Sequence, residues 1–361
     1  MADIISIATS SPTYKHLQSD IHSFMQENYL LDTGGKRKLK FLYDHSGINT
    51  RHSVIPDYNT SLEKRGFIPT NPSASFPTLE TRMQIFETEA LTLSMEAINK
   101  CIDGIIDTKL VTHLITISCT GMSAPGLDLQ LMHALSMPSS IFRTSINFMG
   151  CYAAIHGLKL AKMICDSTPN SNVIVVATEL CTLHFQKEFT EDNAASSLLF
   201  ADGSAAILIS NCLSGYPKLS IKNFYAEVVE KGKADMAWNI SSKGFLMTLS
   251  SYIPQLIEAD IENLIQKALH VNELDISDVT HWCIHPGGKR ILDLVQRKMK
   301  LTDEDLQYAR KVLFNHGNMS SPTVLYVLKE IIDNLNEQPA TIEGMAFGPG
   351  LTMETFTVVN N

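Results

Sequence analysis

The sequence predicts an α/β protein made of two similar halves, on three observations. First, a helical apolar pattern is followed twice by the tripeptide V-T-H and a short strand-like segment, VTHLITISCTG from Val111 and VTHWCIHPGG from Val279. Second, each V-T-H is followed at nearly the same interval, 40 and 39 residues, by a Gly and then Cys151 or Asn318. Third, each half closes with strand-like segments and a glycine turn, FADGSAAILIS from Phe200 and AFGPGLTMETFTVV from Ala346. A tripeptide alone could recur by chance. The shared order, spacing and endings indicate a duplication.

Taken in order, residues 55–80 hold Pro56, Pro69, Pro72 and Pro77 among Ser and Asn, and read as a long surface loop. Residues 83–102 predict a helix whose apolar face is Ile85, Ala90, Leu93, Ala97 and Ile98. The first V-T-H segment reads as a strand ending in a glycine turn. MGCYAAIHGLKLAKMI then predicts a helix with Cys151 at its start, and 211–235 is the expected connection between halves. Residues 253–269 give the clearer 3.6-residue period, through Ile253, Leu256, Ile257, Ile261, Leu264, Ile265, Ala268 and Leu269. The second V-T-H strand follows, and HGNMSSPTVLYVLKEII is a helix-like run opened by Asn318. The expected halves are 1–210, with Cys151, and 211–361, with His285 and Asn318. Two β-α-β-like halves predict two sheets packed around central helices, whose starts bring Cys151 and Asn318 together.

Composition removes several classes of function. Hydrophobic residues are 44% and charged residues 19% of the 361, enough for a large core and not a disordered chain. Stretches such as VIVVAT (173–178) are far shorter than the roughly 20 residues that span a bilayer. MADIISIATSSPTYKH has no basic region before a long apolar run, so a soluble, cytoplasmic protein without a transmembrane segment is expected. A net charge of -9 argues against nucleic-acid binding, which draws on a surplus of Lys and Arg. Seven cysteines, odd in number and without a C-x-x-C pair, read as reduced thiols, and no zinc or other metal site is expected.

Most of these cysteines read as small core hydrophobes. Cys151 differs, because a glycine precedes it and a helix follows, and a helix N-terminus lowers a thiol pKa from about 8.5. His285, in CIHPGG, stands where a strand end meets a glycine turn, a common place for chemistry in α/β folds. Asn318 could cap a helix or donate its amide hydrogens to an oxyanion. The order Cys, His, Asn also occurs in papain-like proteases. Those enzymes place C-G-[SA]-C-[WY] near a mature N-terminus, whereas FMGCYAA lies in mid-chain, so that reading is rejected.

FMGCYAA, LLFADGSAA, IHPGG, GNMSSPTVL and FGPGLTMET together resemble plant chalcone synthase and its bacterial relatives, the type III polyketide synthases, from about Leu39 to the C-terminus. The resemblance implies the thiolase fold, a duplicated α-β-α-β-α five-layer core, and a homodimer. It implies that Cys151 takes an acyl starter from coenzyme A. His285 and Asn318 then stabilise the enolate left when malonyl-CoA loses carbon dioxide, and His285 keeps Cys151 ionised. No cofactor is implied, since the coenzyme A thioesters are substrates. Phe200 matches a gatekeeping phenylalanine, Ser320 a substrate-binding position, and Phe347, Gly348, Pro349 and Gly350 the loop shaping the cavity wall.

Departures from the family pattern bear on substrate choice. Met247 stands at the second gatekeeping Phe, and Trp238 at a cavity glycine, where it shortens the elongation pocket. Cys119, Cys181 and His184 replace polar threonines, which argues against flavonoid-type cyclisation. A pyrone, resorcinol or phloroglucinol-type product is expected. Ala124 stands where a residue reaches into the partner subunit's cavity. Lys38 fits a phosphate-binding position of coenzyme A. Phe41 and His45 replace basic residues there, and Lys289 and Arg290 are expected to supply the missing charge. The main alternative is an initiating β-ketoacyl-acyl-carrier-protein synthase. A hydroxymethylglutaryl synthase would need a catalytic Glu that the sequence does not offer, and a scaffold without chemistry would lack one of the three site residues.

Overall fold

A computed structural model describes residues 1–69, 74–214, 219–229, 236–249, 253–336 and 338–360. Pro72, residues 215–218 and 230–235 of the expected connection, and the side chains of Ile253 and Leu256 lie outside the described residues. The strands are β1 (Asp3–Ser10), β2 (Tyr14–Leu17), β3 (Thr50–Ser53), β4 (His113–Ser118), β5 (Phe142–Asn147), β6 (Asn172–Leu180), β7 (Asp202–Ser210), β8 (Leu219–Val228), β9 (Met236–Ser241), β10 (Gly244–Leu249), β11 (His281–Ile284), β12 (Ala340–Gly348) and β13 (Thr352–Asn360). The helices are α1 (Gln18–Asn28), α2 (Thr33–Asp44), α3 (Leu79–Ile102), α4 (Leu127–Ala134), α5 (Ala153–Ser167), α6 (Glu191–Leu199), α7 (Ile253–His270), α8 (Lys289–Met299), α9 (Gln307–His316) and α10 (Thr323–Asp333).

Nine strands form one sheet in the order β11-β12-β13-β8-β1-β7-β6-β4-β5. The two expected sheets are therefore joined, but the seam is slight: β1 meets β8 over only Asp3–Ser220 and Ile4–Leu219. On either side of it the topology repeats. In the first half β4 runs parallel to β6, β6 antiparallel to β7, and β7 antiparallel to β1. In the second, β11 runs parallel to β12, β12 antiparallel to β13, and β13 antiparallel to β8. The two V-T-H tripeptides thus lead into equivalent strands.

The layers follow from what each element covers. α3 packs on β1, β6 and β7 from outside. α5 lies against β4, β6 and β7 and reaches β13, while α10 lies against β11 and β12 and reaches β1 and β7. These two helices form the middle layer, and α7 with α8 closes the far side. β6 and β7 are buried at all positions because both of their faces are covered. The result is the five-layer thiolase fold.

Local sequence explains most boundaries. α3 begins four residues before the expected 83, because Thr78 caps it by accepting from the Thr81 N–H. Its buried stripe includes Ala90, Leu93, Ala97 and Ile98, as the period requires, and also Phe86 and Arg82. Asn318 does not open a helix. α10 starts only at Thr323, after Pro322, and Asn318 sits in the segment leading to it. Cys151 does stand at a helix entrance, in the turn before α5.

Candidate active site

Cys151, His285 and Asn318 converge on one cavity of about 930 Å³. Cys151 is partly exposed, and it faces this cavity rather than the outer surface. Two glycines allow its surroundings. Gly150 has φ +81°, and a Cβ there would lie 2.2 Å from Pro349 Cδ. A Cβ on Gly348 would lie 2.6 Å from the Tyr152 ring and 3.3 Å from the Cys151 nitrogen. The loop after β12 can press onto the Cys151 turn only because neither residue carries a side chain.

His285 follows β11, its backbone N–H donating to Met345 O at 2.8 Å. The ring is buried, and neither nitrogen has a hydrogen-bond partner among the described residues. Unpaired buried polar atoms are costly, so this ring is poised for a polar group entering the cavity. Asn318 is oriented by its own backbone: Oδ1 accepts from the Ser320 N–H at 2.8 Å, which turns Nδ2 toward the Gly287 carbonyl at 3.3 Å. Its N–H donates to Leu199 O and its O accepts from the Ala201 N–H, both at 2.9 Å, so it is bridged across Phe200.

The electrostatics differ from the expectation for Cys151. Burial pushes its thiol up to about 11, and Ser320 and Asn318 pull it only partly back. Burial drives the His285 imidazole down to about 3. Desolvation is the largest cause of both shifts, and it disfavours the charged form of each group.

Phe200, Ser320, Phe347, Pro349, Cys119 and Cys181 line the same cavity; Gly348 and Gly350 belong to its loop but not to its surface. Cys119 is held behind Cys151, its Sγ accepting the Gly150 N–H at 3.0 Å. The β9–β10 hairpin forms one wall, with Trp238 directly opposite Met247 and Met236 opposite Leu249, all four facing in. The Trp238 indole N–H donates to Cys119 O at 2.6 Å. His184 does not reach the main cavity. Its Nε2 meets Thr120 O at 2.7 Å, its Nδ1 accepts the Phe245 N–H at 3.1 Å, and its ring stacks on Phe245 at 4.2 Å. It latches the hairpin and lines a smaller pocket with Cys181, Trp238 and Met247, and burial holds it neutral, at about 3.

At the mouth stand Lys38, Lys289 and Arg290, with Phe41 stacked on His45 at 4.2 Å. Lys38 pairs with Glu191 at 2.6 Å and Lys289 with Asp293 at 2.7 Å. Ala124 is exposed on the outside, next to a cis Ala124–Pro125 bond, and does not line its own subunit's cavity. Among the described residues no cluster of three or more His, Cys, Asp or Glu is arranged to hold a metal, and no helix is long and apolar enough to cross a membrane.

Sequence reasoning missed Glu179. It is fully buried at the end of β6 and accepts from Cys119 N and Thr120 Oγ1 at 2.8 Å, Ser118 Oγ at 3.3 Å and Ser321 Oγ at 2.6 Å. It thereby ties the Cys119 turn of one half to the Asn318 segment of the other. A lone acid closing the apolar run VIVVATEL was the available signal.

Comparison with known proteins gives this geometry its family. The model of chalcone and stilbene synthases, N-terminal domain, matches residues 1–212, and that of the C-terminal domain matches 221–360. The chain belongs to the chalcone and stilbene synthase family. It is 28% identical to "Type III polyketide synthase C" of Arabidopsis thaliana, over 99% of this chain and 95% of that protein. It is 29% identical to "Putative chalcone synthase" of Bacillus subtilis (strain 168), over 98% and 97%. It is also 27% identical to "Alpha-pyrone synthesis polyketide synthase-like Pks18" of Mycobacterium tuberculosis, over 98% and 90%. The crystal structure of PKS-I from the brown alga Ectocarpus siliculosus superposes with a TM-score of 0.93 at 26% identity, covering 100% of this chain and 98% of that one. The chain is thus a type III polyketide synthase homologue, in a family of acyltransferases, and the carrier-protein synthase alternative is not favoured.

Proposed function

We propose that the protein loads an aliphatic acyl group from coenzyme A onto Cys151 and extends it with malonyl-CoA. The convergence of Cys151, His285 and Asn318 on one cavity carries this reading. The Cys151 sulfur attacks the thioester carbonyl, its proton passes to the His285 imidazole, and coenzyme A leaves as the thiol. Malonyl-CoA then loses carbon dioxide while His285 and Asn318 Nδ2 hold the enolate oxygen. The enolate carbon attacks the acyl group on Cys151, breaking its bond to sulfur, so that Cys151 leaves as the thiolate and a β-ketoacyl-CoA forms.

Several features support the finer assignments. The walls from Leu42, Leu198, Leu249, Met236 and Met247 are apolar and unbranched by polar groups, which suits an alkyl chain. A short run of malonyl units against Trp238 then favours an alkylpyrone, with resorcinol and phloroglucinol products as the other ring closures. Lys38, Lys289 and Arg290 would receive the coenzyme A phosphates, no further cofactor is needed, and a cytoplasmic setting keeps the thiols reduced. A homodimer is favoured by β5, a sheet edge whose residues Phe142–Ser145 are all exposed, with Phe142 at 70%. Such an open edge invites pairing, and Ala124 and exposed Met122 lie in the same chain segment as the start of β4's following turn.

The test is incubation of purified protein with malonyl-CoA and a panel of aliphatic and aromatic acyl-CoAs, read by mass spectrometry, with Cys151→Ala as control. Alkylpyrones and a Cys151 acyl adduct, both lost in the variant, are expected. A chalcone product would overturn the cavity argument, and turnover only with carrier-protein thioesters would overturn the coenzyme A assignment.

A further inference from the structure

The C-terminus of α6 ends inside the protein, where its last carbonyls need donors. Three successive ones are met by three different segments. Leu198 O accepts from Gln18 Nε2 at 3.0 Å, Leu199 O from the Asn318 N–H at 2.9 Å, and Phe200 O from Arg51 Nη1 at 2.6 Å. Arg51 Nε also donates to Gln18 Oε1 at 2.9 Å, so the two side chains act as one clamp. The strand turn just before Asn318 rests on the same arginine: Gly317 has φ +69°, and a Cβ there would lie 2.9 Å from Arg51 Cγ and Cδ.

Arg51 is 3% exposed, and its Nη2 has no hydrogen-bond partner among the described residues. Asp202 is committed to the Val54 and Thr182 N–H groups and the Thr182 hydroxyl. Asp202 nonetheless feels the Arg51 charge through space, and a buried cation held at a distance from its counter-ion is expensive. What offsets it here is Asp202 together with the negative end of the α6 dipole, and what needs it is a fork that spans Gln18 and Phe200 at once, which a lysine cannot supply. Neither Arg51 nor Gln18 lines the main cavity.

We propose that Arg51, with Gln18, is a positioning residue that sets the register between the gate Phe200 and Asn318, and so controls the decarboxylation step. This rests on the functional reading above. In Arg51→Lys and Gln18→Leu, acylation of Cys151 by acyl-CoA should stay within about twofold of wild type. Malonyl-CoA decarboxylation should fall by on the order of 10–100-fold in kcat, the effect of a small misplacement of a reacting group. Hydrogen exchange at the Asn318 and Ala201 amides should accelerate at least about tenfold, while the global melting transition is retained. Equal losses in loading and decarboxylation would assign Arg51 a general stabilising role, and unchanged exchange at the two amides in both variants would remove the clamp; either result overturns the proposal. The exchange readout needs no turnover, so an inactive wild type would overturn the functional reading and the control of decarboxylation with it, while exchange still decides whether the clamp holds Asn318 and Phe200 in register.

Discussion

Glu179 offers the sharpest test of how the two halves are held in register. In Glu179→Ala the Cys119 N–H loses its acceptor, as do the Thr120, Ser118 and Ser321 hydroxyls. The hydroxyls can partly re-aim, since Ser118 and Thr120 lie 3.3 Å apart, but the amide cannot. At about 1–3 kcal/mol per buried unsatisfied group, the net cost is about 4 kcal/mol. For 361 residues the entropy of unfolding is about 0.8 kcal/mol/K, so Tm should fall by about 5 °C. Glu179→Gln is different, because its carbonyl can face Cys119 and Thr120 while its amide donates to Ser321 Oγ. Burial raises the Glu179 carboxyl from 4.5 to about 6. The folded protein therefore keeps a proton that the unfolded chain releases, and stability present below pH 4.5 is lost as pH rises through 6, by about 2 kcal/mol. The glutamine variant should lack that loss, so its Tm relative to wild type should rise between pH 5 and pH 8. Differential scanning calorimetry on the three proteins at both pH values decides. A glutamine variant as unstable as the alanine variant, or a wild-type difference that does not change with pH, would refute the reasoning.

Two further outcomes follow from the same geometry. Trp238→Ala removes a wall of the cavity and the bond to Cys119 O, so products at least one malonyl unit longer should appear by mass spectrometry; Trp238→Phe should keep product length while losing about 1 kcal/mol of stability. Glu343 is buried with Oε1 unpartnered and Oε2 accepting from Thr357 at 2.6 Å, and burial raises its carboxyl to about 8. Its folded-state proton is lost as pH rises through 8, so Glu343→Gln should be more stable than wild type at pH 9, by a few kcal/mol, and close to it at pH 4.5. Melting curves that shift equally at both pH values would contradict this.

The sequence by itself determined the α/β class, the repeat and the three residues that meet in the cavity. Those are local signals: a 3.6-residue period in α3 and α7, a V-T-H before each parallel strand, and glycines where the backbone at Cys151 needs φ above zero. Local pattern also misled at Asn318, because HGNMSSP looks like a helix entrance while Pro322 delays α10 and the segment pairs with Phe200 instead. The direction of the Cys151 pKa was likewise out of reach, since desolvation depends on which distant segments cover a sulfur. Only tertiary structure decided that His184 latches the hairpin, because residues 120 and 245 take both its nitrogens. It alone revealed Glu179 and Arg51, whose partners come from segments 33 to 149 residues away in the chain. Hydrogen-bond satisfaction is a property of the packed interior, and a sequence states only which groups will demand it.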